Sequence, residues 1–196
     1  MTVTGVLLSA GAGRRFGRPK ALVEVAGEPL VSRGIRLLRG GGCDRVLVVL
    51  GAEVEGVLSA MGDAQVVVAQ DWASGMGASL RAAFAALEAE DRAAACVVAL
   101  ADQPLVGPLA VARLLAAWRA GAKAAVATYA GQQRNPVLLE RSLWPAVAAL
   151  AVGDAGARPW LRSHPDVVVA VDCSDTGDPF DLDTPADLRT LMERTS

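Results

Sequence analysis

The chain has 196 residues, 53% of them hydrophobic, which suffices for one domain with a sizeable core and excludes a small stapled scaffold. Its 19 lysines and arginines against 21 aspartates and glutamates give a formal net charge of −2. That balance excludes the broad basic field required by nucleic acid or an anionic membrane and favours a small-molecule partner.

The first apolar run, 3–8, passes directly into a glycine turn with neither a basic flank nor a cleavage site, so it reads as a strand and not as a signal peptide. Further strands are predicted at 45–50, 66–69, 95–100, 124–129 and 167–171. Most are apolar throughout, as a mainly parallel sheet covered on both faces requires. Helical spacing of apolar residues predicts helices at 29–39, 54–61, 78–89, 105–120, 141–150 and 185–193. Gly40, Gly41 and Gly42 read as a helix-terminating turn. The alanine-rich stretch 93–118 is broken by Asp102, Pro104, Pro108 and Arg113 and does not read as a membrane span. With no repeat, linker or charge block, the expectation is a single α/β domain over 1–196. It is doubly wound, has helices on both faces, and binds its ligand at the carboxyl ends of the strands. Cys43, Cys96 and Cys173 form no CxxC pair, which fits a reducing, cytoplasmic compartment.

Residues 9–22, SAGAGRRFGRPKAL, follow the first strand and combine three glycines with three arginines and a lysine. Exposed backbone N–H groups in such a loop form a concavity for phosphate, and the cations neutralise it. A dinucleotide fingerprint fails at Phe16, and a Walker A loop fails because Gly17 is followed by Arg18 and Pro19. Pro19 restricts the backbone just before Lys20 and so fixes where that cation starts.

The predicted strand 95–100 runs into Asp102, which places a carboxylate just past a carboxyl-terminal strand end. Near the C-terminus, alternation puts Asp181 and Asp183 on the same side of an extended segment, so one of them can meet Asp102. Two aspartates and a triphosphate suffice for Mg²⁺, a hard ion that takes oxygen ligands. Zinc is disfavoured, since His164 is the only histidine and reads as a surface residue. Thr184 can cap the last helix with Pro185 at its first position and Asp187 in its first turn, which leaves Asp183 free for metal. Segment 71–81 joins a short strand to a helix whose start can receive base, ribose or phosphate. Trp144 and Trp160 read as core.

These motifs, taken in order, resemble the MobA-like nucleotidyltransferases, most closely the molybdenum cofactor cytidylyltransferase branch. The family loop LxAGxxxRMGxxK is matched by Leu8, Ala10, Gly11, Arg15, Gly17 and Lys20, with Phe16 in the methionine position. LxDQP is matched at residues 100–104, DxDTPxDL at 181–188, GMGxSLR at 75–81 and GDxGAR at 153–158. The resemblance implies a nucleotide-diphospho-sugar transferase-like fold. It implies nucleotide contacts by Leu8, Ala10, Gly11, Gly13, Lys20, Gly77 and Ser79, with Arg81 a further candidate. Arg15, Lys20, Asp102 and Asp183 become the catalytic set, with Mg²⁺ on the two aspartates.

The implied reaction is transfer of a nucleoside monophosphate to a small phosphorylated acceptor of molybdopterin type with release of pyrophosphate, and the implied partners include a protein that receives the finished cofactor. Ala10 stands where the guanylyl-transferring branch has glycine, so CTP is the expected donor. One departure concerns the acceptor: Arg134 and Asn135 replace the glycine and histidine of the family's GHP turn. Another small phosphorylated acceptor, or a nucleotide-binding regulator without turnover, therefore stays open beside molybdopterin. An oxidoreductase on the same fold has no cofactor fingerprint here.

Overall fold

The computed structural model describes residues 2–195. Its centre is a seven-stranded sheet built from β1 (Thr2–Leu8), β4 (Arg45–Leu50), β5 (Gln65–Val68), β6 (Ala93–Leu100), β7 (Ala124–Tyr129), β8 (Gln132–Glu140) and β9 (Val168–Asp172). Their spatial order is β5-β4-β1-β6-β8-β7-β9. Every pairing is parallel except those of β8, which runs antiparallel to both β6 and β7. A separate two-stranded ribbon joins β2 (Glu24–Val25) to β3 (Glu28–Pro29).

The continuous apolar runs in β1, β4 and β6 follow from burial on both faces. Alternation sends Leu7, Val48 and Val97 into a cluster with Val31, Leu38 and Leu114, on α1 (Leu30–Gly40) and α4 (Pro108–Arg119). Val6, Leu47 and Val98 enter the opposite cluster, with Leu80 and Phe84 of α3 (Met76–Glu90), Trp144 of α5 (Trp144–Leu150) and Trp160 of α6 (Arg158–Ser163). α2 (Val54–Ala60) adds Val57 to the first cluster. A third, smaller cluster joins Val23, Val25 and Leu30 to Leu182 and to Leu191 of α7 (Pro185–Thr195), so the C-terminal segment is fastened beside the first loop. No helix among the described residues is long and apolar enough to cross a membrane.

Two expectations are revised. The place of the family's GHP turn, held here by Arg134 and Asn135, lies within β8. Its first four residues are polar and only residues 136–139 are fully buried, so the period of a strand is obscured. The pairing also jumps from Val126↔Val137 to Ala127↔Arg134, which leaves Asn135 and Pro136 in a bulge, a position that tolerates a proline with no N–H to give the ladder. The helix predicted at 105–120 starts instead at Pro108, after a turn in which Val106 bridges to Gly177.

Candidate active site

β1 lies between β4 and β6, and the chain leaves it first toward β4 and later returns to its other side as β6. In an open α/β sheet the loops diverge at such a point and leave a crevice. The loop ends are stitched together by backbone hydrogen bonds. The N–H of Ser9 donates to Val49 O (3.0 Å), that of Ala52 to Ala10 O (3.2 Å) and that of Ala101 to Leu8 O (3.2 Å). Between them opens a cleft of about 340 Å³, lined by Leu8, Ala10, Gly11, Lys20, Ser79 and Asp102 and also by Arg14, Trp72, Met76 and Asp154.

Loop 9–19 folds on itself at Gly13, whose φ is +57° and whose carbonyl accepts the Phe16 N–H at 2.8 Å. A Cβ there would lie 2.0 Å from the Arg18 carbonyl oxygen, so the turn closes only on glycine. Pro19 is buried and leads into a single 3-10 turn, Lys20–Leu22, with Ala21 in the core. The Lys20 backbone is thereby anchored and its side chain reaches out from a fixed origin.

That side chain bridges two carboxylates. Lys20 Nζ donates to Asp102 Oδ2 at 2.9 Å and to Asp183 Oδ1 at 2.5 Å. Burial by itself would lower the lysine's pKa, but the charges and hydrogen bonds of the two aspartates outweigh it and hold the ammonium above its usual range. Asp183 reaches this point because the Leu182 N–H donates to Asp102 O at 2.8 Å while the Leu182 side chain is fully buried. With Leu182 turned inward, its neighbours Asp181 and Asp183 turn outward. Thr184 and Asp187 form a reciprocal cap on α7: Thr184 N donates to Asp187 Oδ2 (2.7 Å) and Asp187 N to Thr184 Oγ1 (3.2 Å). The Asp183 side chain is therefore not consumed by capping.

Asp181 turns to a different partner, accepting the Gln103 amide at 2.8 Å. Although the residue is exposed as a whole, desolvation of its carboxyl pushes its pKa up, and the charges of Asp102 and Asp183 add to this, against the lowering effect of the Gln103 bond. Gln103 itself is 5% exposed. Both line a second cleft of about 320 Å³ that shares Met76 and Leu100 with the first and carries Arg134, Asn135 and Arg158.

Residues 5–168 match the MobA-like NTP transferase domain. The chain belongs to this family. It is 40% identical to nicotine blue oxidoreductase of Paenarthrobacter nicotinovorans, across 97% of this chain and 96% of that protein. It is 31% identical to molybdenum cofactor guanylyltransferase of Rhodobacter capsulatus, across 99% and 97%. The crystal structure of Rv0371c from Mycobacterium tuberculosis H37Rv matches with a TM-score of 0.84 and 33% identity over 98% of both chains, and Rv0371c has also been solved in complex with manganese. The fold is nucleotide-diphospho-sugar transferase-like.

In this MobA-like chain the residues singled out from the sequence separate into groups. Leu8, Ala10, Gly11, Ser79, Lys20 and Asp102 line the first cleft, and Asp183 joins them through Lys20. Gly13 shapes the loop. Gly77 is buried in the first turn of α3, where a Cβ would lie 2.3 Å from Ala151 O, so its place is at the packing of α3 on residues 151–152. The Arg81 guanidinium donates from Nη1 to the same Ala151 carbonyl. Arg15 is exposed on the turn, while its neighbour Arg14 lines the cleft. Trp144 stacks on Phe84 (5.5 Å) and Trp160 on His164 (4.4 Å), both tryptophans inside the core.

Arg14, Trp72, Asp154 and Gln103 were not singled out. Each lay within a motif already marked, but nothing in the letters distinguishes a lining side chain from its neighbours. Asp154 accepts the Met76 N–H at the start of α3 (3.3 Å), a contact 78 positions apart in sequence.

The carboxylate pair suits a divalent ion. Asp102 and Asp183 already converge on one positive charge, and their carboxylate oxygens are of the kind a hard cation takes as ligands. Among the described residues no group of three or more His, Cys, Asp or Glu side chains is placed to hold a metal ion.

Proposed function

We propose that the chain is an Mg²⁺-dependent nucleotidyltransferase that moves CMP from CTP to a small phosphorylated acceptor of molybdopterin type, in the cytoplasm, with release of pyrophosphate. The observation that carries this reading is the convergence of Lys20, Asp102 and Asp183 beside the glycine-rich loop, at the carboxyl ends of β1 and β6.

An acceptor phosphate is an anion at neutral pH and needs no general base. One of its oxygens forms a bond to the α-phosphorus, the bond to the β-phosphate oxygen breaks, and pyrophosphate leaves with the electron pair. Loop 9–19, with Leu8, Ala10 and Gly11 lining the cleft and Gly13 setting the turn, holds the triphosphate. Ser79 lies at the nucleotide's other side, with Gly77 letting α3 pack close behind it. Lys20 and Arg15, with Arg14 beside them, oppose charge growing on the departing pyrophosphate. Asp102 and Asp183 would hold Mg²⁺, which would supply Lewis-acid polarisation of the phosphates. The acceptor occupies the second cleft, where Arg134 and Arg158 provide positive charge. The finished cofactor then passes to a protein that uses it.

Base choice rests on Ala10, 7% exposed in the cleft lining, whose methyl removes space that a purine would use. One carbon is worth about 1–3 kcal/mol of discrimination. The test is pyrophosphate release with each NTP: wild type should prefer CTP over GTP, and Ala10→Gly should narrow the preference. A wild-type preference for GTP would remove the cytidylyl assignment and leave nucleotidyl transfer standing.

A second reading follows from the 40% identity to an oxidoreductase: the same cleft would serve an oxidation–reduction in place of nucleotidyl transfer. Oxidation of NADH or NADPH by an aromatic quinone-type acceptor, without pyrophosphate release, would favour it.

A further inference from the structure

We propose that Lys20 is a built-in counter-ion that closes the divalent-cation site of the nucleotide-free protein, so that the chain takes its metal only as the metal–triphosphate complex. This rests on the reading above, in which Asp102 and Asp183 hold the metal. The Lys20 ammonium stands 2.9 Å from one carboxylate and 2.5 Å from the other. Mg²⁺ bound by the same oxygens would sit about 2.0–2.1 Å from each, in the space the ammonium fills. Ion and ammonium cannot share it. Among the described residues, no other cation makes a salt bridge to either carboxylate.

The backbone of Lys20 is fixed by buried Pro19 and Ala21, so the exchange falls to its four-carbon stem, which swings from carboxylates to phosphates. A lone divalent ion has to expel the ammonium and leave it, unpaired, beside a new double charge. A triphosphate arrives with the anionic oxygens onto which the ammonium moves, so each charge stays matched throughout. By linkage, the nucleotide must then raise metal affinity by the factor by which metal raises nucleotide affinity. Once pyrophosphate departs, Lys20 returns to the aspartates and the metal is released.

The probe is Mn²⁺ alone, titrated into nucleotide-free protein and read by the loss of the free-ion electron paramagnetic resonance signal. Lys20→Met should bind Mn²⁺ at least about tenfold more tightly than wild type. Lys20→Arg, which keeps a cation between the carboxylates, should stay as weak as wild type. Lys20→Gln repeats the comparison with a polar neutral side chain, and unfolding curves for all variants establish that each is folded. Adding Asp183→Asn to Lys20→Met should abolish the gain, which ties it to the named carboxylates. Equal Mn²⁺ binding by wild type and the neutral variants would overturn the proposal while leaving the metal reading intact. A gain that survives Asp183→Asn would also overturn it. Absence of Mn²⁺ binding by every variant, even with CTP present, would overturn the metal reading itself.

Discussion

Alanine in place of glycine inside a helix ordinarily stabilises, and this protein contains a pair of glycines for which the outcome should have opposite signs. At Gly56, in α2, a Cβ would meet only Leu22 Cδ1 at 3.5 Å, an ordinary contact. Gly56→Ala should therefore gain about 0.5–1 kcal/mol from the smaller conformational freedom of the unfolded chain. At Gly77, in α3, the same Cβ would lie 2.3 Å from Ala151 O, 2.6 Å from Ala151 C and 3.0 Å from Val152 N. All three are backbone atoms, so the helix and residues 151–152 must separate. Overpacking of this kind costs about 1–3 kcal/mol, which exceeds the entropic gain and leaves Gly77→Ala destabilised. The displaced segment leads into Asp154, which accepts the Met76 N–H at the cleft wall, so nucleotide affinity should fall as well. Urea unfolding of both variants with fluorescence and circular dichroism gives the two signs. Stabilisation by Gly77→Ala, or destabilisation of both variants by equal amounts, would refute the packing argument.

Asp102→Asn and Asp183→Asn should each lower kcat/KM for nucleotidyl transfer roughly a hundredfold or more with the fold intact, and steady-state rates at saturating Mg²⁺ check this. Asp181→Asn should leave nucleotide binding nearly unchanged and raise KM for the acceptor, since Asp181 faces Gln103 and the second cleft. Trp144→Ala removes a fully buried side chain stacked on Phe84 and should cost about 3–5 kcal/mol in denaturant unfolding. The folded pKa of Lys20 lies above its ordinary 10.5, so its stabilising contribution is fully present below pH 10.5 and is lost as pH rises through the higher folded value. The stability difference between wild type and Lys20→Met should accordingly be flat from neutral pH to about 10 and shrink only above that. A difference that vanishes below pH 9 would contradict the ion-pair geometry.

The parallel half of the fold was legible because its strands are buried on both sides and therefore apolar at every position, as in 45–50 and 95–100. β8 was not, because it joins a solvated half, QQRN, to a buried half, PVLL, around a proline bulge, and neither half is long enough to show a period. At the site, Lys20, Asp102 and the C-terminal aspartates stood out through their places after a strand or before a helix. The choice of Asp183 over Asp181 as the partner of Lys20 depended on where Gln103 points, a contact 78 positions away that local spacing does not encode. Gly77 shows the reverse limit. Its position in a glycine motif suggested nucleotide contact, and that motif does not show that a Cβ there would run into the backbone of Ala151 and Val152.

Nucleotidyl transfer at the Lys20–Asp102–Asp183 cleft is measured most directly as pyrophosphate released from CTP with Mg²⁺ and a molybdopterin-type phosphorylated acceptor. The assay is run beside an identical reaction containing Asp102→Asn and beside one with NADPH and a quinone-type acceptor in place of CTP. Nucleotidyl transfer predicts acceptor-dependent pyrophosphate release by wild type, its near loss in Asp102→Asn, and no NADPH oxidation. NADPH oxidation by wild type, with no pyrophosphate from any NTP and acceptor pair, would contradict it.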